Sequence, residues 1–247
     1  MMLTNLADVV RRSGLEVIEV PGWKTRGHGE MTAVDAIINH HTAGPETGDF
    51  PSLATVRDGR PDLDGPLAQL GLGRSGRVWV IAAGVCYHAG ATFQSWQNNW
   101  HAIGIEAEAT GTDEWPDDQY EAYVRLNRAL CDGYGVPVDR VLGHKEIAKP
   151  LGRKTDPNFD MGAMRRAVAS LNHPPTDTTS EDEMTPAQMT ELKDYTDERM
   201  QAYSLWLDMR ARRAELLVAK AKKDTAAVAV LQTEYDAAYK SWKGITS

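Results

Sequence analysis

Residues 172–183 read NHPPTDTTSEDE, with two prolines, no large apolar side chain and an acidic end. A stretch of that kind neither buries a face nor completes a helix, so the chain cannot fold around one uninterrupted core. The break predicts a domain over 1–171, a linker over 172–184 and a separate region over 185–247. Both sides of it are acidic, with net charges of −5 and −3 that make up the total of −8. That balance argues against nucleic acid as a partner and against bulk attraction to anionic wall polymers. No run approaches the ~20 apolar residues of a membrane span. Residues 1–19 carry Arg11, Arg12 and acids where an export signal would carry an apolar run, which predicts synthesis for the cytoplasm without a signal peptide. Cys86 and Cys131 form no CxxC pair and read as buried thiols of a reducing compartment.

The first part alternates strand and helix signals. A short helix is expected over Leu3–Arg12, with strands over Glu16–Val20, Val34–His41, Arg77–Ala82 and His101–Glu108. In the last of these Ile103 and Ile105 face one way, while Gly104, Glu106 and Glu108 face the other. A helix follows Pro116 with Tyr123, Leu126 and Leu130 on one face and stops near Gly133 or Gly135, and Met161–Leu171 closes the domain as a helix. These elements predict an α/β domain with a mixed central β-sheet flanked by helices. After the linker, Thr185-Pro186-Ala187-Gln188 is a strong helix start, and Asp224-Thr225 restarts one. Val228, Leu231, Tyr235, Ala238 and Trp242 make a narrow 3-4 seam, which predicts an all-α helical hairpin or coiled-coil tail. Such a tail has little core of its own, so pairing into a homo-oligomer, or packing on its own domain, would supply the missing burial.

Several histidines and acids stand where chemistry is feasible. His40 and His41 end an apolar strand, and alternation lets at most one of them enter a given site. His144 ends the apolar run Val141-Leu142-Gly143, and Lys154 and Asp156 project to one side of an extended segment that follows. Two histidines and a carboxylate from separate segments are the donor set of a catalytic zinc site that keeps one position for water. A glutamate near it can move the water's proton, and a lysine can steady an oxyanion. Spacing alone leaves ordinary core and surface histidines as the alternative, since no compact HExxH occurs. Trp96, Trp100 and Trp115 present faces suited to sugar rings or to packing.

Four ordered strings narrow this. They are Ala36-Ile37-Ile38-Asn39-His40-His41-Thr42-Ala43-Gly44; Tyr87-His88-Ala89-Gly90; Ile103-Gly104-Ile105-Glu106; and Gly143-His144 followed by Gly152-Arg153-Lys154-Thr155-Asp156-Pro157. Together they resemble the zinc-dependent N-acetylmuramoyl-L-alanine amidases of the type-2, peptidoglycan-recognition-protein-like family. The stretches Pro21–Gly29 and Leu63–Gln69 resemble in particular the endolysins of phages of actinobacteria. The resemblance spans about 1–171 and implies Zn²⁺ held by His40, His144 and Asp156, with Glu106 as general base and acid and Lys154 as oxyanion stabiliser. It implies that His88 lines the substrate cleft, and His41 and Glu108 are the further candidates for substrate contacts or for support behind the ligands. His28, His101 and His173 are not expected to be ligands, and Asn39 stands where an apolar residue is commoner.

The activity so implied is hydrolysis of the amide between N-acetylmuramic acid and L-alanine in bacterial peptidoglycan. A phage endolysin would accumulate in the host cytoplasm and reach the wall after holin-type release. The alternatives are a cytoplasmic amidase that recycles wall fragments, which would need no helical tail, and a peptidoglycan-binding module without catalysis, which would lack some of these residues. For residues 185–247 the expectations are oligomerisation or wall targeting, and Met184 is placed where an internal translation start would release the tail alone.

Overall fold

The computed structural model describes residues 1–112, 114–171, 212, 215, 216, 219, 220 and 222–245. The predicted linker, the helix start at Thr185, Met184 and His173 lie outside the described residues. The chain divides into two compact units, Met1–Pro174 and Pro175–Ser247.

In the first unit the elements run α1 (Leu6–Arg11), β1 (Val17–Glu19), β2 (Ala36–His41), α2 (Leu53–Asp58), β3 (Gly59–Arg60), β4 (Leu63–Asp64), β5 (Leu70–Leu72), β6 (Val78–Val80), β7 (Ala102–Ala107), α3 (Asp117–Tyr134), β8 (Val141–Gly143), α4 (His144–Ile147) and α5 (Met161–Ser170). Six strands form one sheet in the order β1-β6-β5-β7-β2-β8, with a separate β3–β4 hairpin. All neighbours in the sheet run parallel except β5 and β6. The fold is therefore mixed α/β with a mostly parallel sheet, as the alternating signals predict.

Period-two patterning divides the two central strands between the sheet faces. Ile37 of β2 and Ile103, Ile105 and Ala107 of β7 enter the main core with Val9, Tyr123, Leu126, Leu130 and Met164 from the helices. Ala36, Ile38 and Ala102 pack on the opposite face with Ala89 and Ile147. Each fully buried aliphatic chain contributes roughly 1.5–3 kcal/mol, enough to hold β2 and β7 in one register. The face of α3 that the sequence offers is the face buried, and Gly135 ends that helix in the left-handed conformation. The central strand β5 has no counterpart among the expected elements: three residues with Gly71 between two leucines are too short to show alternation. Strand boundaries move inward from the expected ones, β2 starting at Ala36 instead of Val34.

In the second unit α6 (Thr225–Ile245) starts where Asp224 accepts the Ala227 N–H at 3.0 Å, as the Asp-Thr pair predicts. Val228, Leu231 and Tyr235 of the seam are half-buried and Ala238 is buried, as are Leu216 and Ala219, while Val230 is exposed. Arg212 and Glu234 pair at 2.9 Å.

Candidate metal centre

Parallel strands place their C-terminal ends on one edge of the sheet, and the site is built there. His40 is the penultimate residue of β2 and pairs in register with Glu106 of β7, so both side chains leave the same face. β8 stops at Gly143 and the chain turns into α4, which carries His144 out of the sheet plane. Glu146 accepts the Gly143 N–H at 2.9 Å and is itself gripped by both arms of Arg165 at 2.9 and 3.0 Å, which fixes that turn. Asp156 is drawn alongside because its carbonyl accepts the Lys145 N–H at 2.8 Å.

The result is a buried triangle. His40 Nδ1 lies 3.1 Å from His144 Nδ1 and 3.1 Å from Asp156 Oδ2, and His144 Nδ1 lies 3.2 Å from the same oxygen. These three residues are the group among the described residues that could hold a metal ion. A tetrahedral ion with bonds of about 2.0–2.1 Å has ligands about 3.3 Å apart, close to the sides of this triangle. The donor chemistry agrees. His144 Nε2 lies 3.1 Å from the Ala89 carbonyl, which can only accept, so that nitrogen carries the proton and Nδ1 faces inward with its lone pair. Converging lone pairs at that distance repel unless a cation lies between them.

The electrostatics follow from the burial. His40 is held neutral, its pKa lowered to about 4, chiefly by burial and then by the neighbouring His144. Asp156 is held well below the ordinary carboxyl range, although burial opposes this, because the His144 and His40 rings face its carboxylate within hydrogen-bond distance. Glu106 goes the other way, pushed up to about 8 by burial first and by Asp156 second. Its Oε2 has no hydrogen-bond partner among the described residues. Lys154 is half-buried, and its charge acts on both His40 and Glu106.

Of the residues named from sequence, the fold brings together His40, His144, Asp156, Glu106 and Lys154. His88 is buried beside them, with Nδ1 at 3.2 Å from His40 Nε2. His41 turns away by strand alternation, with Nε2 packed against Gly111. Glu108 is fully buried, and its oxygens take Thr42 Oγ1 at 2.7 Å, Ser52 N at 3.0 Å and Ser52 Oγ at 3.0 Å. Of the two roles open to Glu108, these bonds favour support, since they tie it to a loop of its own chain. His28 stacks flat on Tyr87 at 3.6 Å, and His101 pairs with Asp35 at 2.6 Å, both apart from the triangle. Trp115 packs on Phe159, and Trp96 lies under Arg140.

Tyr123 and Asn127 were missed as supports of the site. The Tyr123 hydroxyl sits under the rung between β2 and β7, 3.0 Å from His40 N and 3.1 Å from the carbonyls of His40 and Ile105. Asn127 Nδ2 bridges Asn39 Oδ1 at 2.7 Å and the Tyr123 carbonyl at 2.9 Å, and Asn39 Nδ2 reaches the Leu142 carbonyl at 3.1 Å. The signal was present in Asn39: an amide in an apolar strand needs a buried partner.

Known proteins resemble this chain in sequence. The family model for N-acetylmuramoyl-L-alanine amidase matches residues 30–159, which include every residue of the triangle together with Glu106 and Lys154. The chain is 37% identical over 91 residues to the 1,6-anhydro-N-acetylmuramyl-L-alanine amidase AmpD of Salmonella typhimurium strain SL1344, covering 35% of this chain and 48% of that protein. It is 38% identical over 87 residues to the AmpD of Escherichia coli K12, covering 34% and 46%. The chain thus spans about half the length of the curated relatives it matches. Among solved structures, the endolysin amidase LysCS from Clostridium intestinale aligns with a TM-score of 0.47 at 17% identity, over 62% of this chain and 95% of that one. On the match of its residues 30–159, the chain belongs to the N-acetylmuramoyl-L-alanine amidase family.

Proposed function

We propose that this chain is a zinc-dependent amidase that cleaves the bond between the lactyl group of N-acetylmuramic acid and L-alanine in peptidoglycan. The observation that carries the reading is the buried His40–His144–Asp156 triangle with Glu106 on the adjacent strand rung. His40, His144 and Asp156 would hold the ion, which when bound polarises the scissile carbonyl and makes hydroxide available near neutral pH. Glu106 takes the water's proton and returns it to the departing alanine nitrogen. Its raised affinity for a proton suits the second half of that transfer, and a neighbouring cation suits the first. Lys154 places positive charge near the oxyanion that forms at the attacked carbonyl.

Within that activity we assign the role of a phage endolysin. The endolysin-like stretches Pro21–Gly29 and Leu63–Gln69 and the helix α6 of the second unit support it. The second unit is assigned to wall engagement or to pairing of chains, and export to the wall would follow holin-type release from the host cytoplasm. A second reading, action on soluble 1,6-anhydro wall fragments, is favoured by the identity to the AmpD proteins. Digestion of intact sacculi and of purified 1,6-anhydro-muropeptides, with mass spectrometry of the products, separates them. Free stem peptides beginning with L-alanine are expected from both substrates under the amidase reading. A marked preference for sacculi supports the endolysin role, and cleavage of the soluble fragments alone supports the second. Cleavage at any other bond overturns both.

A further inference from the structure

We propose that the His88–Ala89 dipeptide is a single positioning unit that sets the proton on both candidate ligand histidines and leaves Nδ1 of each bare toward Asp156. The inference rests on the metal-site reading above and extends it to residues outside the triangle. The relay of protons starts at a backbone carbonyl. Ala102 C=O lies 3.2 Å from His88 Nε2 and can only accept, so His88 carries its proton there and presents Nδ1 as an acceptor. That Nδ1 lies 3.2 Å from His40 Nε2, which must therefore be the protonated nitrogen of His40. His40 Nδ1 is left bare, 3.1 Å from Asp156 Oδ2. One residue further along, the Ala89 carbonyl receives His144 Nε2 at 3.1 Å and leaves His144 Nδ1 bare in the same way.

Two features hold the dipeptide where it can do this. Asn99 Oδ1 accepts the N–H groups of both His88 and Ala89, at 3.1 and 2.8 Å, and Asn99 is itself buried. Gly104 of β7 supplies the seat: a Cβ there would lie 2.6 Å from the His88 ring. The strings Tyr87-His88-Ala89-Gly90 and Ile103-Gly104-Ile105-Glu106 are thus two halves of one device. A ring stacked on Gly104, spanning from Ala102 C=O to His40, is a support behind the ligand and is not a group that meets substrate. Partners of this kind orient ligand imidazoles and raise metal affinity.

The test uses the full chain with ¹⁵N-labelled histidine. Long-range ¹H–¹⁵N spectra report the tautomers of His40 and His144 in protein stripped with chelator, and competition against a chromophoric chelator reports affinity for Zn²⁺. In the unsubstituted protein both histidines are expected as Nε2–H. His88→Leu is expected to give mixed tautomers at His40 alone and an affinity lower by about 10–100-fold, while His88→Gln, which keeps an acceptor and a donor, restores most of it. Asn99→Leu is expected to disturb both histidines, because it releases both N–H groups of the dipeptide, and Asn99→Asp to restore them. Should His88→Leu not fold, Gly104→Ala displaces the same ring without removing it, with the same expected effect on His40. Unchanged tautomers and unchanged affinity in His88→Leu and Asn99→Leu overturn the inference. Absence of zinc uptake by the unsubstituted protein, with Nε2–H still seen at both histidines, overturns the metal reading and supports the positioning.

Discussion

Glu106 of β7 and Glu108, just past the end of that strand, stand two residues apart in different surroundings. Glu108 meets three donors from Thr42 and Ser52, whereas Glu106 meets burial and the charge of Asp156. In protein stripped of metal, the Glu106 carboxyl titrates at about 8 against 4.5 for an unperturbed glutamate. The folded state then holds a proton that the unfolded state gives up, so stability is full below the lower value and is lost as pH rises through the upper one. Glu106→Gln removes that loss: its melting temperature is expected to exceed that of the unsubstituted protein at pH 8 and to match it at pH 4, by calorimetry of both. The same variant is expected to slow amide hydrolysis by about 10²–10⁴-fold. His40 carries the opposite slope, since its pKa is lowered from 6.5 to about 4 and its contribution is lost as pH falls through that window. The His40–His41 pair was readable from sequence through strand alternation. The contrast between the two glutamates was not, because it depends on a loop that returns from residues 42–52.

Between elements, the site depends on how β2, β7, β8 and α3 are tied below it. The Tyr123 hydroxyl lies within 3.1 Å of three backbone groups at the His40 rung, in full burial. Tyr123→Phe keeps the ring and removes those bonds, and urea denaturation is expected to show a loss of about 1–3 kcal/mol, with zinc affinity falling alongside. On the other side of β7, Gly71 pairs in register with Glu106, and a Cβ at position 71 would lie 2.3 Å from the Phe50 ring. Gly71→Ala is therefore expected to cost about 1–3 kcal/mol as an overpacked core position, measured in the same denaturation series. Both positions belong to elements whose type or existence the sequence shows unevenly. α3 was legible by its apolar face, since helical periodicity is a local property. β5 was not, because its status as a central strand comes from β6 and β7 on either side of it.

At the scale of the whole molecule, an ion at the proposed site would couple binding to stability. The triangle sits in the first unit, 1% to 9% exposed at its three residues, and its lone pairs converge only in the folded chain. An ion at a thousandfold excess over its dissociation constant adds about 4 kcal/mol, so chelation is expected to lower the melting temperature by on the order of 10 °C, with recovery on adding Zn²⁺. The second unit contributes no described residue to the triangle. A chain ending at residue 171 is expected to keep its rate on soluble muropeptides and to scatter light as a monomer. The full chain is expected to scatter as an oligomer joined through the seam that includes Val228 and Leu231, and an equal mass for both removes that assignment.

The sequence by itself determined the class of fold and offered the candidate donors. Apolar runs ending in His40 and His144, the Lys154–Asp156 segment, and alternation at Ile103–Glu106 are local patterns, set by strand and helix periodicity. The tertiary structure alone decided which donors meet and what state they are in. Residues up to 116 positions apart reach 3.1 Å only when β2, β8 and the segment after α4 share one sheet edge. The contacts of His88 with His40 and the Ala102 carbonyl, on which the proposed positioning role rests, exist for the same reason. Its chemistry is set by Ala102, Gly104 and Asn99, none of them its neighbour in the chain.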